Sequence, residues 1–313
     1  TSMPGKVALK VKRNVLKDLS KNTKVIVVTG TNGKTTSCRI LEEGLKKAGK
    51  SYFINKSGAN LITGVTASFI MNSTVTGKCK DYAIIECDEN AFKEVSRYIH
   101  CDVILVTNVF RDQLDRYGEV THTLNAIKES VKNLPNAIVC LDADCSLTYS
   151  MSKEIPNKII TFGVNVPFDK NAKAPEISDA KYCIFCKHEY DYTYHTYGHL
   201  GGFVCSNCGY KRPQPDFAVE SVEEMKNDHS VVVANLKGDR NIIKVNIGGA
   251  YNIYNAIGCA AALTALGIEQ KIIIDAIENF NGAFGRMEHF KSGNNTVNLI
   301  LVKNPAGFSQ TMN

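Results

Sequence analysis

The chain has 313 residues, of which 37 are Lys or Arg and 31 are Asp or Glu, giving a formal net charge of +6. Its 44% hydrophobic and 22% charged residues exclude wholesale disorder, and the length suggests about two domains. No apolar run reaches the roughly 18 residues of a membrane-spanning helix, and the start has no signal peptide. The modest positive charge permits an anionic ligand without requiring nucleic acid.

The first part of the chain predicts alternating strands and helices. Aliphatic and β-branched runs predict strands over residues 24–29, 81–86, 102–107, 136–141 and 158–162. Apolar residues at helical spacing predict helices over 37–48, 91–99 and 121–134. Strands that are apolar on both faces, with helices between them, favour a doubly wound α/β fold with a mostly parallel sheet.

Residues 167–215 interrupt this pattern with four prolines, four cysteines and no helical periodicity. Strands over 230–234 and 242–247 and helices over 251–266 and 272–280 follow, so the α/β domain resumes after a small inserted module. We expect one domain over 1–285, an insert over 180–212 within it, and a second unit that starts at 286–313 and is cut short. The chain also lacks an initiator Met, and we therefore expect it to be a fragment.

A phosphate-binding loop is predicted where the first strand meets the first helix. The sequence there is Gly-Thr-Asn-Gly-Lys-Thr-Thr, and its candidate ATP-binding residues are Thr31, Asn32, Gly33, Lys34, Thr35 and Thr36. Backbone N–H groups at a helix start bind phosphate, Lys34 reaches the terminal phosphates, and the Thr35 hydroxyl holds Mg²⁺. The spacing departs from the common Walker A motif because Val28 stands where a Gly is expected. The alternative is an ordinary Gly turn with an exposed Lys.

Three carboxylates follow the next long strand, in Glu86-Cys87-Asp88-Glu89. Ligands of open α/β sheets bind at the carboxyl ends of the strands, so Glu86 is the candidate second Mg²⁺ ligand and, with Lys34, a candidate catalytic residue. Asp88 and Glu89 are compatible with an acidic start of the following helix.

Four segments together resemble the Mur ligases and the related folylpolyglutamate synthases. They are the phosphate loop, the Asn-Val-Phe-Arg-Asp-Gln-Leu-Asp segment from Asn108, the Asn-Ile-Tyr-Asn segment at 252–255, and Gly-Arg-Met-Glu at 285–288. Gln113 and Tyr251 stand where many members have His. With these two departures and the four-cysteine insert, the sequence resembles one branch of the family, the MurT proteins, which are the ligase-like subunits of lipid II isoglutaminyl synthase.

The resemblance implies a Mur ligase central domain and an ATP-dependent amidation in peptidoglycan biosynthesis. The α-carboxylate of D-glutamate in the lipid II stem peptide would become an acyl phosphate, and ammonia would convert it to D-isoglutamine. Ammonia would come from a glutaminase subunit, GatD, in a heterodimer. The expected location is cytoplasmic, at the inner face of the membrane.

The resemblance also implies roles for individual residues. Asn252 and Asn255 would contact the base side of ATP, and Arg286 its phosphates or ribose. Asn108 and Asp112 would line the substrate side. As alternatives, Asn255 is a helix cap and Arg286 a surface charge.

Cys183-x-x-Cys186 and Cys205-x-x-Cys208 have the spacing of a structural zinc site. Two disulfides or a redox pair are the alternatives. The seven other cysteines lie in mostly apolar surroundings and favour a reducing compartment. Zinc ribbons often bind nucleic acid, but no basic stripe forms here, so support of the ligase domain is expected. Two other functions remain open, namely a Mur-type amino-acid ligase and a nucleic-acid-binding ATPase.

Overall fold

The structure, a computed structural model, describes residues 2–55, 59–74, 76–111, 119–168, 179–281, 287–292 and 295–300. Its helices are α1 (Met3–Val11), α2 (Val15–Ser20), α3 (Lys34–Lys47), α4 (Ile62–Met71), α5 (Glu89–Val95), α6 (Glu119–Lys132), α7 (Ser146–Ser150), α8 (Ala250–Ala265) and α9 (Gln270–Asn279). Its strands are β1 (Lys24–Thr29), β2 (Tyr52–Ile54), β3 (Tyr82–Glu86), β4 (Val103–Val106), β5 (Ile138–Asp142), β6 (Ile159–Val164), β7 (Asp191–His195), β8 (Gly201–Val204), β9 (Phe217–Met225), β10 (Ser230–Leu236), β11 (Asp239–Val245), β12 (Met287–Ser292) and β13 (Asn295–Ile300).

One large sheet organises the described residues, with the strand order β11-β10-β9-β6-β5-β4-β1-β3-β2. The strands from β2 to β9 in this order pair in parallel, and β10 and β11 extend the sheet in antiparallel fashion. All four residues of β4 are buried, as are five of the six in β1, which explains their unbroken aliphatic sequences. The prediction of a mostly parallel α/β sheet is confirmed.

The strand order places the ends of three strands together. β1 lies between β3 and β4, although β3 and β4 follow it in the sequence. The connections that leave β1 and its two neighbours therefore meet at one carboxyl edge, where open α/β sheets bind their ligands. The phosphate loop follows β1, Glu86 ends β3, and Asn108 comes shortly after β4.

Helices α3 and α8 cover this part of the sheet and pack against each other. A Cβ atom added at Gly44 of α3 would overlap Leu263 of α8, and one at Gly258 would press on Phe162 of β6. The Ala-rich sequence of α8 is buried along most of its length, so this helix lies close to the strands beneath it. None of the helices in the described part of the chain combines the length and apolar character that crossing a bilayer requires.

Several elements differ from those predicted. Helix α3 begins at Lys34, three residues earlier than expected, because Gly33 adopts a left-handed conformation with φ of 84° and serves as its N-cap. α1, α2, β2, α4 and β9 were not predicted. The insert, residues 180–212, contains a hairpin of β7 and β8, and β12 and β13 pair in a second antiparallel hairpin.

Candidate functional site

The phosphate loop is held in an open, glycine-dependent conformation. Gly30 and Gly33 have φ values of 120° and 84°, which favour glycine. A Cβ atom on Gly33 would overlap the side-chain oxygen of Asn255, so the loop and α8 are in direct contact. The N–H of Ser37 donates to the carbonyl of Gly33 over 2.8 Å, which leaves the first N–H groups of α3 directed out of the helix start, as phosphate binding requires.

Asn108 fixes the shape of this loop. Its side-chain oxygen accepts from the N–H of Asn32 at 3.0 Å, and its amide nitrogen donates to the Asn32 carbonyl at 3.2 Å. The hydroxyl of Thr31 donates to the Phe110 carbonyl and accepts from the Phe110 N–H. The structure thus places the side chain of Asn108, which was predicted on the substrate side, against the phosphate loop.

Lys34 is turned back onto its own loop. Its Nζ donates to the carbonyls of Gly30 and Thr31 and to Oε1 of Glu89 at 3.2 Å, and both charged side chains are only 13% exposed. Burial raises the pKa of Glu89, against the opposing effect of Lys34. A bound phosphate would compete with Glu89 for the same ammonium group.

Sequence reasoning treated Asp88 and Glu89 together as part of an acidic helix start. Asp88 does cap α5, since its side chain accepts from the N–H of Asn90 at 3.0 Å. Glu89 instead faces the phosphate loop, and its pairing with Lys34, 55 positions earlier, has no local sequence signal.

Thr35 and Glu86 form the candidate Mg²⁺ site. The Thr35 hydroxyl donates to Oε1 of Glu86 at 3.2 Å. Hydroxyl and carboxylate oxygens are hard donors of the kind that Mg²⁺ accepts, so the residues fit this ion. Asn55 holds Glu86 from the other side, because its amide donates to the Glu86 carbonyl and accepts from the Glu86 N–H at 2.9 and 2.8 Å. Asn55, a buried polar residue just after β2, was missed by sequence reasoning.

Asn252 and Asn255 lie in the first turns of α8 and are both buried. The Asn255 amide donates to the Asn252 side-chain oxygen at 3.0 Å, and Asn252 in turn donates to the Gly248 carbonyl at 2.6 Å. This chain of amides ends against Gly33 of the phosphate loop. Asp112 and Arg286, two further predicted site residues, lie outside the described residues, as does Gln113.

The four cysteines of the insert converge. The Sγ atoms of Cys183 and Cys208 are 3.6 Å apart, those of Cys186 and Cys205 are 3.4 Å apart, and all four lie within 4.8 Å of one another. Thiolates about 2.3 Å from a tetrahedral zinc ion stand about 3.8 Å apart. A disulfide bond is about 2.05 Å long, so the spacing fits a Cys₄ metal site and not disulfides.

The two cysteine pairs sit in matching turns. The N–H of Lys187 donates to the Cys183 carbonyl, and that of Gly209 to the Cys205 carbonyl, each over 2.9 Å. Lys187 and Gly209 both have positive φ, 64° and 75°. Outside the four-cysteine cluster the insert has a small core of its own, in which Tyr190, Phe203 and Tyr210 pack together.

A buried ion pair joins the insert to the sheet. Nε of Arg212 lies 2.6 Å from Oδ1 of Asp144, whose side chain is fully buried just after β5. The other carboxylate oxygen of Asp144 accepts from the Tyr254 hydroxyl at 2.5 Å and from the Val164 N–H at 2.8 Å. Tyr254 lies between Asn252 and Asn255 on α8, so the insert is connected to the helix that contacts the phosphate loop.

Asp142 is a second fully buried carboxyl near this ion pair. One of its oxygens accepts from the Asp144 N–H at 2.9 Å, and the other has no hydrogen-bond partner within the described residues. Burial and then the neighbouring Asp144 raise its pKa well above the ordinary value. Burial also lowers the pKa of His199, a residue of the insert that lies 3.4 Å from Cys145, to about 4.

Comparison with known families relates the whole chain to cell-wall enzymes. Residues 28–208 match the model of the Mur ligase middle domain. All 313 residues align at 36% identity with 68% of the lipid II isoglutaminyl synthase (glutamine-hydrolyzing) subunit MurT of Streptococcus pneumoniae. The MurT subunit of Staphylococcus aureus strain N315 is 31% identical over the same 313 residues, which cover 69% of its length.

Solved structures show the same fold at lower sequence identity. A pseudomurein peptide ligase type C from Methanothermus fervidus superimposes with a TM-score of 0.72 at 24% identity, over 93% of this chain and 56% of that one. MurF from Acinetobacter baumannii gives 0.68 at 17% identity, over 92% and 53%. The chain therefore spans about half the length of these solved structures.

Proposed function

The chain belongs to the MurT branch of the Mur ligase family, and we propose its function from this premise. It is the ligase subunit of a lipid II isoglutaminyl synthase. Proteins of this family use ATP and Mg²⁺. The proposed reaction is the ATP-dependent amidation of the D-glutamate α-carboxylate in the lipid II stem peptide. The product would be D-isoglutamine, in peptidoglycan biosynthesis.

The chemistry requires activation of a poor acyl donor. A carboxylate oxygen of the substrate attacks the γ-phosphorus of ATP, ADP leaves, and the resulting acyl phosphate is attacked by ammonia with loss of inorganic phosphate. Lys34 would release Glu89 and donate to the transferring phosphoryl group. Thr35 and Glu86 would hold Mg²⁺, which offsets negative charge on the phosphates. Asn108, Asn55 and the Asn252–Asn255 pair would keep the loop and Glu86 in position.

The observation that carries this proposal is the meeting of Lys34, Thr35 and Glu86 at the end of β1 and β3. The Thr35 hydroxyl lies 3.2 Å from Glu86, and Lys34 is on the same loop. Thr31, Asn32, Gly33 and Thr36 would contact ATP through the loop backbone. Asp112 on the substrate side and Arg286 on the nucleotide complete the proposed site.

Subunit organisation is part of the proposal. The MurT relatives are subunits of a glutamine-hydrolysing synthase, so a partner that releases ammonia is implied for them. We assign this role to a glutaminase of the GatD type in a heterodimer. The protein would act in the cytoplasm at the inner membrane face, since lipid II is membrane-anchored. The chain would comprise a central domain over residues 1–285, with the insert at 180–212 within it, and the start of a second unit over 286–313.

The insert would bind a structural zinc ion. Its four thiolates fit tetrahedral coordination with no open position, so the metal would stabilise the fold and take no part in the reaction. Glu189 and Asp191 interrupt the positive charge of the module, which argues against a nucleic-acid reader.

The decisive assay supplies the full-length protein with lipid II, ATP, Mg²⁺ and ammonium, and follows the replacement of OH by NH₂ by mass spectrometry together with ADP release. Lys34→Ala should abolish amidation because the transferring phosphoryl group loses its positive partner. The matched control is Lys46→Ala, an exposed lysine at the other end of α3. Ligation of an amino acid in place of amidation, or full activity of Lys34→Ala, would overturn the proposal.

A further inference from the structure

Helix α1 has an exposed face that the proposed reaction does not use. Its opposite face is fixed, because Gly5 is buried against α4 and a Cβ atom at Gly5 would overlap the backbone of Thr63. The backbones of α1 and α4 are therefore in close contact at Gly5. This contact determines which side of α1 faces away from the protein.

Three large apolar side chains lie on that outward face. Met3, Val7 and Val11 are 64%, 54% and 85% exposed and follow one another at intervals of four residues, so they form one stripe along the helix. Leu61 and Met71, at the two ends of α4, are also more than 60% exposed. A contiguous apolar stripe of this kind on a water-facing helix marks a surface that contacts another phase or partner.

The segment that carries the stripe is strongly basic. Residues 2–21 contain one acid, Asp18, and six cations, Lys6, Lys10, Lys12, Arg13, Lys17 and Lys21. This segment alone carries a formal charge of +5 out of the total of +6, because the rest of the chain has 31 cations against 30 acids. Lys6 and Lys10 lie one position before Val7 and Val11, so they border the apolar stripe on α1.

We propose that the outward face of α1 docks this protein on the surface of an anionic phospholipid bilayer. The three apolar side chains would enter the boundary between headgroups and acyl chains, and the cations would contact the phosphates, as in interfacial amphipathic helices. A second copy of the chain is disfavoured as the occupant, because two segments of charge +5 repel each other. Nucleic acid would take up the cations but would leave Met3, Val7 and Val11 in water.

The docked face is connected to the candidate site through α4. The first turns of α4 contact α1, and just before α4 the carbonyl of Asn60 accepts from the thiol of Cys87, the residue after Glu86. A bilayer against α1 would thus be one helix away from the carboxylates that follow β3. The docking itself does not depend on the proposed reaction.

The test is sedimentation of the full-length protein with vesicles that contain no lipid II. We expect binding to vesicles of equal parts phosphatidylglycerol and phosphatidylcholine, and much weaker binding to phosphatidylcholine alone. Lys6→Gln and Lys10→Gln should each weaken binding about fivefold. Changing Met3, Val7 and Val11 together to Ser should weaken it by about tenfold or more, since their apolar surface would no longer be removed from water.

The matched control replaces two exposed lysines away from α1 by Gln, namely Lys50, which follows the end of α3, and Lys93 on α5. These changes should leave vesicle binding unchanged. All variants change exposed positions, and unchanged melting temperatures would show that they fold. Equal binding to both vesicle types, unaltered binding of the triple Ser variant, or a concentration-dependent dimer lost in that variant would overturn the proposal. Amidation of detergent-solubilised lipid II tests the reaction separately from the docking.

Discussion

Replacement of Arg212 by Met would remove one partner of the buried ion pair that joins the insert to the sheet. Asp144 is fully buried and would keep only the Tyr254 hydroxyl and the Val164 N–H as donors. Leaving a buried carboxylate without its cation costs about 3–5 kcal/mol of the free energy of unfolding. At about 2–4 °C for each kcal/mol, the melting temperature should fall by on the order of 10 °C.

Thermal unfolding followed by calorimetry at neutral pH measures this change. Arg240→Met is the matched control, because Arg240 is 71% exposed and its contact with Glu220 is 3.5 Å long. Its effect should stay within about 1 kcal/mol. Adding Asp144→Asn to the Arg212 variant should restore part of the loss, since the uncompensated charge is gone. An Arg212 variant as stable as the Arg240 variant, or no recovery in the double variant, would refute the reasoning.

Three further changes test the candidate nucleotide site, the buried carboxyl of Asp142 and the four-cysteine cluster. Glu89→Gln should tighten ATP binding several-fold in titration calorimetry without Mg²⁺, because Lys34 loses a carboxylate that competes with the phosphates. Weaker ATP binding would show that the Lys34–Glu89 ion pair does not compete with the nucleotide. Asp142→Asn should flatten the dependence of stability on pH. Burial raises the pKa of Asp142 in the folded state. The contribution of this carboxyl to folding stability is therefore fully present below its unfolded pKa of about 4, and it is lost as pH rises through its folded pKa. At neutral pH the Asn variant should thus be more stable than the parent protein. A variant that unfolds like the parent at every pH would show that Asp142 does not titrate this way. Cys205→Ser should lower bound zinc, measured by atomic absorption, and the melting temperature; unchanged zinc content would exclude the Cys₄ site, and a folded variant with tenfold weaker ATP binding would count against a purely structural role.

The sequence predicted the parts of the fold that rest on continuous apolar runs. The bounds of β1 agree with the prediction, because this strand is buried on both faces and ends at a glycine turn. α1 was missed for the opposite reason: its apolar side chains point outward and its buried face centres on Gly5, so the usual pattern of a surface helix is inverted.

Local motifs also linked Lys34, Thr35 and Glu86, since a phosphate-binding loop needs a carboxylate to hold its metal ion and Glu86 ends the next long apolar run. Contacts between distant side chains had no such signal. Asn55 reaches Glu86 across 31 positions, and Arg212 reaches Asp144 across 68. These pairings depend on the order of strands in the sheet, which the apolar pattern alone does not determine. Glu89 shows a related difficulty, because a carboxylate at a helix start is equally suited to a cap and to a lysine partner.

The position of the insert between β6 and β9 has a consequence for how the sheet is completed. These two strands are parallel neighbours, with Val164 opposite Val219, and such strands need a long crossover, which in most α/β proteins is a helix. Here residues 165–168 and 179–216, the part of this crossover that the structure describes, contain the cysteine-bearing module and no helix. With zinc in the proposed site, the outer strands β9, β10 and β11 would join the sheet through a metal-dependent crossover, so the yield of mature protein after synthesis would follow the supply of zinc in the cell.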